Sequence, residues 1–141
     1  MSFSAYFSWL MGLAYSQMIS GMPITILLLT SIILSLIVNN PFKKGRYRSK
    51  YLLVFVPALL SVAIVALGAI FKHDPVSKNL IASVAKYSIL FLLAIHIPIA
   101  GYIVYYMRGF RWFAVSAVSL QLWWSFCIGF VSLMSITGDW L

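Results

Sequence analysis

The chain has 141 residues, is 63% hydrophobic and only 9% charged, and sets ten Lys and Arg against two acids. A soluble domain carries roughly a quarter charged residues, so a single domain of this length cannot hide so much apolar surface from water. The composition excludes a water-soluble globular protein and predicts an all-α, polytopic integral membrane protein, one membrane domain over residues 1–141.

Residues 2–17 are uncharged and aromatic. Phe3, Phe7, Leu10 and Ala14 recur at helical spacing, with Ser4, Ser8 and Gln17 elsewhere. This pattern predicts an N-terminal interfacial helix. The stretch lacks the positive n-region and cleavage site of a signal peptide. A first span is expected over residues 18–38, with Pro23 in its first turn, where proline is tolerated. A competing reading makes residues 3–19 a span of their own, closed by a hairpin at Gly21-Met22-Pro23. That would give five spans; the early serines favour four transmembrane helices.

The loop 39–50 carries Lys43, Lys44, Arg46, Arg48 and Lys50. So many cations in a short loop place it in the cytoplasm. Residues 51–71 form the second expected span, free of charge. The loop after it mixes two lysines with His73 and Asp74 and is expected outside. The third span, residues 87–107, is flanked by Lys86, which would snorkel from the rim, and has Tyr87 and Tyr106 as interfacial anchors. Arg108-Gly109-Phe110-Arg111 is a tight turn expected inside. The fourth span covers residues 112–137, and the tail with Asp139 lies outside. Both termini are therefore expected outside, with a bacterial inner (plasma) membrane as the expected location.

His96 falls near the middle of the third span, where an ionisable group is costly and a functional candidate by default. It would serve as a haem or metal ligand, a proton relay or a pH switch. The plainer reading is a neutral imidazole bonded to a serine or carbonyl of a neighbouring helix. Pro98 and Gly101 predict a kink nearby. Along the fourth span Ala117, Gln121, Ser125 and Gly129 recur every fourth residue and Ser132 continues the stripe. Ala58, Ser61, Val65 and Gly68 form a weaker stripe in the second. Small residues let helices approach closely, so both read first as helix-packing faces of a bundle or homo-oligomer. The alternative makes Gln121, Ser125 and Ser132, with His96, the wall of a pore.

Trp123 and Trp124 read as lipid-facing bulk or packing surface, and the single Cys127 as a small buried apolar residue.

Neither acid lies in a span, and there is one cysteine. That argues against ion-coupled exchange, thiol–disulfide chemistry, a Ser-His-Asp triad and a metal cluster. No catalytic residue, metal or cofactor is expected, and no direct nucleic acid. The expectation is a non-enzymatic membrane subunit that self-associates or docks a soluble cytoplasmic partner or anionic membrane lipid through the basic loop. One setting would be the membrane component of a bacterial stress or antiphage-defence system. The alternatives are an oligomeric pore and an accessory subunit of a respiratory or photosynthetic complex.

Overall fold

The computed structural model describes residues 2–39, 50–71 and 79–138, and every element in it is helical. Helix α1 is Phe3–Ser20 and α2 is Met22–Asn39. A 3-10 turn, Lys50–Phe55, leads into α3, Val56–Ile70. Helix α4 is Asn79–Tyr106, and a short 3-10 turn, Arg108–Phe110, joins it to α5, Arg111–Thr137. Three stretches are each long and apolar enough to cross a membrane: Leu53–Ile70, Ala82–Tyr106 and Arg108–Thr137. Helices α1 and α2 meet that test together, bent by 86° at their junction.

Local chemistry sets the ends. Ser2 caps α1 by accepting the Ala5 N–H at 3.4 Å. Pro57 sits in the first turn of α3, where its missing N–H is no loss. Gly138 closes α5 at φ 76°, a left-handed conformation that favours glycine. The break at Gly21 corrects the expected boundary at residues 17 and 18. A helix begun at residue 18 would put Pro23 inside it, where the ring strikes the carbonyl four residues back. Starting α2 at Met22 puts Pro23 second. The break therefore falls where the five-span reading put its hairpin, but the chain turns through 86° instead of reversing. Pro98, by contrast, lies inside an unbroken α4.

Helix α5 is the mast of the bundle; it packs on α1, α2, α3 and α4. Two apolar clusters are stacked along it. One joins Leu10, Ile64, Ile89, Ile128 and Ile136 from α1, α3, α4 and α5. The other gathers Val54, Ile103, Met107, Phe110, Ala114 and Val118. Met107 and Phe110 are buried and pin the α4–α5 turn.

Contacts to α5 also give the course of the first two helices. Tyr6 Oη meets Ser135 Oγ at 2.9 Å. Gly21 abuts the Trp123 ring, and Ser31 Oγ meets Ser116 Oγ at 2.6 Å. Moving from residue 6 to 31, the chain thus descends α5 from 135 through 123 to 116. At 1.5 Å per residue those steps are about 18 Å and about 10 Å. Helix α1 is inclined along α5, whereas a helix lying across the end of the bundle would meet α5 at one level. Of the stripe Phe3, Phe7, Leu10, Ala14, Leu10 and Ala14 are buried, Phe7 packs half-buried against the core, and Phe3 is exposed.

Candidate functional site

Between the two apolar clusters lies a polar layer built by α3, α4 and α5. Each helix contributes from the gap in its own apolar pattern: Ser61, His96 and Ser125, all essentially inaccessible. His96 Nδ1 lies 2.7 Å from the Leu92 carbonyl, one turn back in α4. Its Nε2 lies 3.1 Å from the Pro57 carbonyl and 3.1 Å from Ser125 Oγ. Ser125 Oγ meets Ser61 Oγ at 2.6 Å, and Ser61 Oγ is 3.1 Å from the Pro57 carbonyl.

The hydrogen-bond roles follow from donor and acceptor chemistry. A carbonyl only accepts, so the ring nitrogen that carries the proton donates to its carbonyl; with the proton on Nδ1 that is the shorter contact, to Leu92. Nε2 then accepts from the Ser125 hydroxyl, and the one Ser61 proton serves either the Pro57 carbonyl or Ser125 Oγ. The side chains of Ser61, His96 and Ser125 are buried, and the layer joins three helices.

Two other serines of α5 do the same work at other levels. Ser116 faces Ser31 of α2, while Ser135 donates to the Gly68 carbonyl of α3 at 2.9 Å and meets Tyr6 of α1. Trp123 Nε1 donates to Thr25 Oγ1 at 3.2 Å. Thr25 in turn donates to the Met18 carbonyl at 3.1 Å, and Ser20 donates to that of Gln17 at 2.7 Å. The Met18 carbonyl, which the α1–α2 break frees from the helical ladder, is thus answered by a side chain.

The two small-residue stripes meet each other inside one chain. A Cβ on Gly68 would lie 2.7 Å from Ser132 Cβ, and one on Gly129 would lie 2.6 Å from Leu93 Cδ1. Among the described residues, Gln121 Oε1 and Ser132 Oγ are buried without a hydrogen-bond partner. Lys43, Lys44, Arg46 and Arg48 lie outside the described residues; Lys50 opens the 3-10 turn before α3. His73 and both acids also lie outside them. Cys127 is buried, and Trp123 stacks on Phe126 with ring centroids 6.1 Å apart. Among the described residues no group of three His, Cys, Asp or Glu side chains could hold a metal.

The serine partners Tyr6, Ser31, Ser116 and Ser135 were not singled out by sequence pattern. Their signal is faint: an uncharged hydroxyl reads as an interruption of an apolar run when its helix-facing side is unknown. No protein-family model, curated protein or solved structure matches the chain.

Proposed function

We propose that the chain is a non-enzymatic membrane subunit whose output passes through a partner held at its basic cytoplasmic loop. One observation carries the membrane part: the polarity of the bundle is inverted. Ser61, His96, Ser125, Ser132 and Ser135 are buried, while Leu27, Leu59, Phe91, Ile97 and Trp112 are each at least 65% exposed. In water that arrangement exposes apolar surface on all sides; in lipid it is the arrangement of least cost. On this reading the bundle crosses four times. The first crossing is a broken span made by α1 and α2 together, in place of an interfacial helix followed by a separate span. Both termini then lie outside, with the loops 39–50 and 107–110 inside.

The partner part rests on charge. Five cations fall within eight residues, 43–50, and neither acid is near them in sequence. Such a loop suits an acidic protein surface or anionic headgroups. The stripes once available for self-association are occupied within the chain, so a second copy would have to use other faces. The pore reading is the weaker one, because Ser125 and Ser132 are each 1% exposed and packed against α3.

Reversing Lys43, Lys44, Arg46 and Arg48 to Glu should cut the co-purifying soluble partner by about tenfold or more. The check is quantitative cross-linking in cells, with a reporter on the tail to confirm unchanged topology. Full retention of the partner with topology intact would remove the docking role.

A further inference from the structure

The uncovered face of α2 forms a groove of about 520 Å³, walled by Leu27, Leu34 and Val38 and closed at one end by Trp112 of α5. Three hydroxyls also line it, but each is already engaged. Thr30 donates to the Ile26 carbonyl, Ser35 donates to the Ile32 carbonyl at 2.7 Å, and Ser31 is bonded to Ser116. The groove therefore presents no free polar group from α2, and its occupant should be a hydrocarbon chain. From Leu27 to Val38 it runs about 17 Å at helical rise, close to the roughly 15 Å half-thickness of a bilayer's hydrocarbon core.

The Trp112 end differs in chemistry. Arg111 immediately precedes Trp112 and is exposed. Arg108, one turn away, is exposed as well; it lies over the Tyr105 ring at 4.7 Å and donates to the Tyr105 hydroxyl at 2.7 Å. Apolar walls thus lead toward two exposed arginines, and no acid lies among the described residues.

We infer that this groove binds one acyl chain of an anionic phospholipid, with the headgroup held by Arg111 at the mouth. The inference rests on the membrane reading above and deepens it. The basic end of the protein is a lipid site in its own right, whether or not a soluble partner also docks there. Trp112 supplies the interfacial ring against which the glycerol region lies.

The test uses the full chain in mild detergent. Phosphatidylglycerol and phosphatidylcholine with identical acyl chains are titrated in separately, and bound lipid is counted by native mass spectrometry. The wild type should retain one phosphatidylglycerol with about tenfold preference over phosphatidylcholine. Leu34→Trp, at a 58% exposed position, should fill the groove and abolish that retention. Arg111→Glu should reduce the preference to near one. Leu90→Trp, on the exposed side of α4, should change nothing and controls for an added indole. Equal retention of the two lipids by the wild type would overturn the inference, as would undiminished phosphatidylglycerol binding by Leu34→Trp. If the membrane reading itself failed, the chain would be recovered from cells without detergent, a separate outcome seen before any lipid is added.

Discussion

Gly68→Leu is expected to destroy the folded bundle. Helices α3 and α5 touch through Gly68 and Ser132 at a distance that leaves no room for a side chain. A Cβ at Gly68 would lie 2.7 Å from Ser132 Cβ, 2.8 Å from its Oγ and 3.0 Å from its Cα. The last of these is backbone, so a change of rotamer cannot relieve it and the helices must separate. Overpacking of this kind costs about 1–3 kcal/mol for small additions and more for large ones. For Gly68→Ala the gain in helix propensity, up to about 1 kcal/mol, offsets part of that. Alanine should therefore destabilise measurably and leucine should abolish the monodisperse folded species. Gly101 is the control, because nothing lies within 4 Å of the Cβ that alanine would add there. Gly101→Ala should be neutral or stabilising by up to about 1 kcal/mol. Unfolding in mixed micelles, followed by circular dichroism, checks all three. Equal effects of alanine at positions 68 and 101 would show that the α3–α5 contact is not as close as described.

The second large effect is expected at His96, and it separates packing from hydrogen bonding. Interhelical hydrogen bonds within membranes are worth about 0.6 kcal/mol on average and about 1.7 at most. Truncating a large buried side chain costs about 2–5 kcal/mol, because a cavity remains. His96→Leu keeps most of the volume and loses the interhelical bond to Ser125, so it should cost about 1–2 kcal/mol. His96→Ala loses both and should cost about 2–5 kcal/mol. The same micelle unfolding measurement decides. If leucine is as damaging as alanine, the polar layer contributes more than its packing, and its role exceeds that of joining helices.

These two sites also show what the sequence made legible. The stripe through Ser125, Gly129 and Ser132 was visible because small residues at a four-residue interval have few other uses in an apolar helix. Its partner face on α3, from Ser61 to Gly68, was visible for the same reason. That the two faces meet within one chain was not, since periodicity identifies a face but not what covers it. His96 bonded to a serine of another helix matches its plainer reading. The choice of Ser125 required three-dimensional placement, because the residues are far apart in the chain. At the N-terminus the expected span from residue 18 and the observed helix differ: the steric rule for proline favours a start at Met22, which puts Pro23 second. Ser4 and Ser8 interrupt the apolar pattern there, while Leu10 and Ala14 carry the packing. The basic loop was legible only as charge, and residues 40–49 lie outside the described structure.

The inverted polarity of the bundle links these observations. Every serine of α5 that is buried reaches toward another helix, and large apolar side chains are exposed on each of the five helices. A protein with so little polar surface outside its loops has few ways to act alone. The concentrated charge of the chain lies in the five cations of residues 43–50 and in the exposed arginines 108 and 111.

The most direct test of that account is native mass spectrometry of the full chain, extracted from its membrane in mild detergent together with whatever remains bound. The account predicts a stoichiometric protein partner that is lost when Lys43, Lys44, Arg46 and Arg48 are reversed. A defined homo-oligomer that carries no partner and conducts ions in bilayers, with conductance abolished by Gln121→Leu, would contradict it.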